Sequence, residues 1–241
     1  MKKSVAVLLT GLMVGLGFVN ASNADDRAWA WSPVGIGLAA PIQLPYMTTD
    51  VYGLRLGGFF GANNDVYGLD LGVAEYSAGD FVGLQASALS WTQGRGYGVQ
   101  LAAFANVVRE QLFALQMAPV NVDWDESTGV QFGCVNYDNS FVGIEVGALI
   151  NWNCRMSYGL EVSTINANQE EFLGAAFGGL VNYAQTFTGF ACGLVNVAYD
   201  VTGCQLGLIN ACDRMHGVQI GLLNLINESK LPVMVIANAA F

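Results

Sequence analysis

Between residues 51 and 227 apolar and polar positions alternate with a period of two, and the alternation restarts every 14 to 16 residues. Twelve segments carry it: GLRLG, GLDLG, GLQAS, GVQLA, ALQMA, GVQFG, GIEVG, GLEVS, AAFGG, GFACG, GCQLG and GVQIG. They begin at Gly53, Gly68, Gly83, Gly98, Ala114, Gly129, Gly143, Gly159, Ala175, Gly189, Gly203 and Gly217. With that first residue as position zero, position +2 holds Arg55, Asp70, Gln85, Gln100, Gln116, Gln131, Glu145, Glu161, Phe177, Ala191, Gln205 and Gln219. Position +4 is Gly, Ala or Ser throughout, while +1 and +3 are mostly Leu, Val, Ile, Phe or Met. Successive side chains of a strand point to opposite faces, so each copy predicts a strand with one aliphatic face and one small–polar–small face. On a helix, +1 and +3 would lie far apart, so a helix does not fit. The uncharged stretch 172–199 is long enough for a membrane helix, yet it keeps the same register.

Position −1 is aromatic in several copies (Tyr52, Tyr67, Tyr97, Phe113, Tyr158), which places rings at one end of the aliphatic face. Asn recurs at +7, as Asn121, Asn136, Asn166, Asn182, Asn196, Asn210 and Asn224. Asn tolerates left-handed backbone and forms Asx-turns, so this position is expected to end the strand in a turn. Most acids fall between copies, among them Asp123, Asp125, Glu126, Asp138, Glu170, Glu171, Asp200 and Asp213, and are expected at exposed turns. Two further strands are expected at Ser32–Leu44, interrupted by Pro41, and at Leu231–Phe241, giving fourteen.

The fold this pattern predicts is all-β: a closed antiparallel transmembrane β-barrel of about 12–14 strands. About ten residues at ~3.3 Å, tilted, span the ~25 Å apolar band of such a barrel and leave four or five for a turn. Closure also satisfies every backbone group, which lipid demands. The aliphatic face would meet lipid. Arg55, Asp70, Gln85, Gln100, Gln116, Gln131, Glu145, Glu161, Gln205 and Gln219 would form a polar row in the lumen, mildly cation-favouring if a pore exists; the slightly preferred alternative is that the Gln side chains fill the interior and hydrogen-bond each other. The alternative is a β-solenoid of about 12 short coils, in which the aliphatic face would be inside and the Gln face outside.

Composition sharpens this reading. Of 241 residues, 53% are hydrophobic and only 12% charged, about half the charge of an ordinary soluble domain. Disorder is excluded. Nine Lys and Arg against 19 Asp and Glu argue against nucleic acid as a partner. Lys2 and Lys3, the apolar run Ser4–Val19 and the small residues before Asp25 have the form of a secretory signal peptide over residues 1–24. Losing its two lysines would take the net charge from −10 to −12. Residues 25–241 then form a single repeat-built β domain, with repeats at about 51–227 and terminal strands at about 32–44 and 231–241.

No chemistry-bearing constellation emerges. The five cysteines, 134, 154, 192, 204 and 212, lack metal-ligand spacing, and an odd number leaves at least one unpaired. Cys134, Cys192 and Cys204 fall on apolar strand positions, where Cys acts as a small hydrophobe. His216 is the single histidine, and no GxSxG elbow accompanies it. Gly35-Ile36-Gly37 and Gly94-Arg95-Gly96 do not lead from a strand into a helix, so they are not phosphate loops. Asp123-Trp124-Asp125-Glu126 lacks the alternating loop of a Ca²⁺ site and is expected to be an acidic turn. Neither enzymatic activity nor a cofactor or metal is expected.

The units Gly217-Val218-Gln219-Ile220-Gly221-Leu222-Leu223-Asn224 and Gly203-Cys204-Gln205-Leu206-Gly207-Leu208-Ile209-Asn210 resemble a bacterial surface-repeat family built from short GVQIGLLN-like repeats. Pro41-Ile42-Gln43-Leu44 ahead of Val51–Gly57 is similar to that family's entry, and Leu231–Phe241 to its exit. Phe177 and Ala191 at the polar position, and the missing Asn in the first four copies, depart from it. The resemblance implies an exported protein of the outer membrane or cell surface, structural or pore-like, and implies no catalysis. The terminal Phe241 is similar to the closing residue of outer-membrane barrels. Membrane lipid and the envelope assembly machinery are the expected partners; in the alternative fold, the chain would be a surface-attached or secreted binding module.

Overall fold

Repeat stacks on repeat in register, Gly53 beside Gly68, Arg55 beside Asp70 and Leu56 beside Leu71, and the strands run parallel. This is seen in a computed structural model that describes residues 31–40 and 42–241; the expected signal peptide and residue 41 lie outside the described residues. The strands are β1 (Trp31–Ala39), β2 (Ile42–Leu44), β3 (Asp50–Asn63), β4 (Val66–Leu71), β5 (Ala74–Ser77), β6 (Phe81–Thr92) and β7 (Gly96–Val108). They continue as β8 (Leu112–Met117), β9 (Val120–Asn153), β10 (Met156–Asn168), β11 (Glu171–Leu206), β12 (Ile209–Cys212), β13 (Arg214–Ile226) and β14 (Val233–Ala240). All belong to one 14-stranded hydrogen-bonded array.

The expected antiparallel barrel is therefore overturned: the chain is a β-solenoid of about thirteen turns. Among the described residues, antiparallel pairing is confined to the ends, where β2 pairs with β1 and β14 with β13. Parallel neighbours cannot be joined by a tight hairpin, so each coil carries a second strand segment that brings the chain back. In the coil from Gly203, Asp200–Leu206 stacks on Arg214–Ile220, and Ile209–Cys212 stacks on Leu223–Ile226. The 34-residue β9 and 36-residue β11 simply bend round the corners without losing pairing. Repeat lengths of 14 to 16 are absorbed as register shifts at the corners, as between Ser163 and Ile165.

The assignment of faces within a solenoid is also reversed. Gln85, Gln100, Gln116 and Gln219 are fully buried, whereas Leu56, Leu69, Leu84 and Ile220 on the aliphatic face are exposed. Stacking explains this. A primary amide has donors and an acceptor, and one coil away sits an identical amide at hydrogen-bond distance. Such columns pair the amide donors from coil to coil, although several buried acceptors, among them Gln116 Oε1, Gln131 Oε1 and Gln219 Oε1, have no partner among the described residues. The apolar residues of the same strands then face outward by parity.

Register also corrects one repeat. Gly159 pairs with Gly174 and Glu161 with Ala176, so the ninth copy begins at Gly174 rather than Ala175. Phe177 then belongs to the outer face, and the buried position is Ala176. Ala176 and Ala191 interrupt the polar row where Phe172 and Phe187 stack at 5.1 Å and occupy the space.

Position zero has its own requirement. Eleven of these glycines hold φ between 122° and 152°, a region L side chains rarely adopt. In each stacked pair from Gly68 onward, an added Cβ would collide with the carbonyl oxygen of the preceding coil's position zero. At Ala114, which fills the slot in one coil, the positive φ is absent.

Candidate functional site

The predicted polar row is brought together, but as packing rather than as a lumen wall. Arg55 sits at its start and donates from Nε and Nη2 to the two carboxylate oxygens of Asp70 at 2.6 and 2.5 Å. Gln85 donates to Asp70 (2.7 Å), Gln100 to Gln85 (3.2 Å) and Gln116 to Gln100 (2.9 Å). Gln131 turns to Asp123 and Asp138 at 2.7 and 2.9 Å. Glu145 and Glu161 accept from Asn153 at 2.9 and 3.0 Å. Beyond Ala176 and Ala191 the row resumes, with Gln219 donating to Gln205 at 2.9 Å.

A second column was misread as a turn. Asn106, Asn121, Asn136, Asn151, Asn166, Asn182, Asn196, Asn210 and Asn224 form one buried line, each Nδ2 donating to the next Oδ1 at 2.8 to 3.2 Å. Asn106 and Asn151 escape a fixed +7 spacing because their coils carry one extra residue at the corner. In earlier coils Glu75 and Ser90 hold the slot in register with Asn106, and Ser90 Oγ donates to Asn106 Oδ1 at 2.7 Å.

A third inward column contains Asp123, Asp138, Asn153 and Asn168, all buried. Asp123 and Asp138 are thus not turn acids. An acid two residues before an exposed pair, as in Asp123-Trp124-Asp125, is the parity signal that could have found them. Burial pushes Asp138 up to about 6 and Glu161 up to about 7, against the lowering effect of their hydrogen bonds. Asp123 and Glu145 rise well above the usual carboxylate range, first by burial and then by charge from Asp138. Glu75 is raised to about 8 by burial and the nearby Asp70, with Arg55 at 3.2 Å pulling the other way. Gly57, Gly61 and Gly72 surround its carboxyl, and a Cβ on any of them would overlap it.

The side chains of these columns are buried between the two walls of the coil. Among the described residues, no group of three or more His, Cys, Asp or Glu is arranged to hold a metal ion. His216 is exposed and meets Phe241 edge-on at 5.8 Å. All five cysteines are free thiols; Cys154 and Cys212 are buried.

The surface is what remains, and it is sharply divided. Every charged residue between 42 and 241 lies either in the buried columns or along one long edge, where coils are connected. On that edge Asp80 pairs with Arg95 (2.6 Å) and Asp200 with Arg214 (2.5 Å), and Asp213 accepts from Asn227. The opposite edge is the corner after position +4. It is formed by Phe59, Phe104, Leu149, Leu194, Leu208 and Leu222, which are 43% to 71% exposed. It adjoins the flat aliphatic sheet of positions −1, +1 and +3, where Tyr52 and Tyr67 stack at 4.7 Å. Eleven coil-to-coil steps of ~4.8 Å make this face about 50 Å long, and a width of about 15 Å gives roughly 800 Å². Apolar patches on monomeric proteins are commonly about 300–600 Å².

No family model, no curated protein and no solved structure matches the chain.

Proposed function

We propose that the chain is an exported, surface-associated β-solenoid that serves as a non-catalytic binding module, working through its outer apolar face. The exposure of a continuous, charge-free aliphatic sheet and corner, while the polar row is sealed inside, carries this reading. A face of that size is a contact site in most soluble proteins. Export is supported by the signal-peptide form of residues 1–24 and by the resemblance of the GVQIGLLN-like units to bacterial surface repeats. The buried carboxyls and amides act in this reading as internal structure.

The test has two parts. Fractionation of cells producing the full chain should recover it outside the cytoplasm, with residues 1–24 removed. The native chain should enhance the fluorescence of an apolar-surface dye, and Leu194→Ser with Phe104→Ser should reduce the enhancement. Cytoplasmic retention, or a native chain that does not bind the dye, refutes the reading.

A further inference from the structure

We infer that the occupant of this face is a lipid bilayer, into which the apolar corner inserts with the solenoid axis lying along the membrane plane. The inference rests on the binding-module reading and names its partner. Three observations carry it. First, charge is segregated across the coil: the charged edge lies opposite the apolar corner, so that insertion of the corner leaves those charges in water. An amphipathic element with one apolar side and one polar side lies in the interface in this way. Second, the backbone at the corner is already paired from coil to coil. Val73 N–H donates to Gly58 O at 3.1 Å, Leu208 N–H to Leu194 O at 2.9 Å and Leu223 N–H to Leu208 O at 2.9 Å. Unpaired backbone groups are what hydrocarbon excludes, and these groups bring none. Third, the exposed corner side chains stand beside an open hollow of ≈ 620 Å³, walled by Phe177, Leu194, Leu206 and Leu208 over Gly193 and Gly207. Fluid acyl chains fill such a hollow and surround the protruding side chains without needing a partner surface of matching shape.

Attachment of this kind is driven by apolar burial, with the acidic edge held away from the headgroups. Binding should therefore be insensitive to salt and unaided by anionic lipid. Cys134 is exposed on the corner itself, and the half-buried Cys192 and Cys204 lie on the adjoining sheet, so a thiol-reactive, polarity-sensitive fluorophore reports on this face.

The experiment is flotation of the full chain with phosphatidylcholine vesicles, with and without phosphatidylglycerol, at low and high salt. It compares wild type with Leu208→Asp/Leu222→Asp on the corner and Gln185→Asp/Thr186→Asp on the charged edge. All four positions are exposed, and far-UV circular dichroism and melting temperature check that the variants fold. The corner pair should weaken partitioning at least about tenfold, the edge pair should float like wild type, and the fluorophore should shift to the blue with vesicles. A folded corner variant that floats like wild type overturns the inference, as does flotation that requires phosphatidylglycerol. A chain that ignores vesicles but forms a dimer weakened by the corner pair keeps the binding module and rejects lipid as its occupant. A chain that ignores vesicles and stays monomeric removes both.

Discussion

Asn196 tests whether the amide columns hold the solenoid together. Its side chain is fully buried. Nδ2 donates to Leu206 O at 2.9 Å and to Asn210 Oδ1 at 2.8 Å, and Oδ1 accepts from Asn182 Nδ2 at 2.8 Å. In Asn196→Ala, Asn182 keeps its bond to Cys192 O at 3.0 Å, but Asn210 Oδ1 and Leu206 O both lose a donor. At about 1–3 kcal/mol for a buried group left unpaired, plus a small cavity, the loss should be about 3–4 kcal/mol. Asn196→Asp sharpens the test because the shape is kept and the donor is not. Its carboxyl must hold a proton to face Asn210 Oδ1, so its pKa in the folded state is raised. A raised carboxyl contributes stability that is complete below the unfolded value of about 3.9 and is lost as pH rises through the folded value. Urea unfolding followed by circular dichroism should therefore place Asn196→Asp about 1–3 kcal/mol below wild type in acid, where its single O–H replaces one of the two N–H donors, and at least about 3 kcal/mol below it at neutral pH. Amide hydrogen exchange over residues 194–212 should show the opening directly, because stacked repeats can open one coil at a time. A loss below about 0.5 kcal/mol for Asn196→Ala, or an Asn196→Asp penalty that does not change with pH, would refute the reasoning.

Glu75, Glu161 and Asp138 are raised to about 8, 7 and 6, so the folded chain binds more protons than the unfolded one between about pH 4 and 8. Its melting temperature should fall as pH rises through that window; a rise would contradict the burial of these groups. Arg55→Met leaves Asp70 and Glu75 buried without their cation and should cost about 3–5 kcal/mol in urea unfolding, with a further loss at alkaline pH. Gly159 has φ 134°, and an added Cβ meets Gly143 O. Gly159→Ala should cost at least 1–3 kcal/mol, whereas Ala114→Gly should change the urea midpoint little. Ala191→Gln would restore the polar row in sequence but must fit beside Phe187, and overpacking should lower stability by about 1–3 kcal/mol.

The first strand of each coil and its division into an aliphatic and a polar face were legible in the alternation of single positions, but the second strand segment, which carries the Asn column, was not. What alternation does not encode is which neighbour a strand pairs with. Parallel and antiparallel arrays share the period of two, so GVQIG reads equally as a barrel strand or a solenoid rung. The deciding information was in the identity of residues one repeat apart: Gln above Gln and Asn above Asn are useful only in a parallel stack. The Asn column was read as a turn because Asn favours turns on its own, and its value here comes from the Asn of the next coil. Asp123 and Asp138 were misplaced for the same reason, since a carboxylate is expected at the surface until Gln131 is placed between the two. Gly174 is not evident from the sequence because Ala175, which follows it, also suits position zero, and only pairing with Gly159 fixes the register.

An apolar exterior follows from the way this interior is satisfied. Most soluble folds must spend their aliphatic residues on a core, because an interior of scattered polar groups leaves many unpaired. Stacking removes that constraint in one dimension. Each Asn of the central line donates to the Asn of the next coil, and eight successive Asn–Asn bonds point in one direction from Asn106 to Asn224, so that each polarises the next. The interior still needs apolar filling where columns stop, as at Phe172 and Phe187 beside Ala176 and Ala191. Elsewhere the outward positions +1 and +3 and the corner after +4 carry little of the burden of folding. Substitution at Leu208 or Leu222 therefore probes the surface almost independently of the fold, while substitution at Asn196 probes the fold without touching the surface. The low charge of the chain belongs to this division: charges confined to a sealed interior and one edge leave the rest of the solenoid free of them.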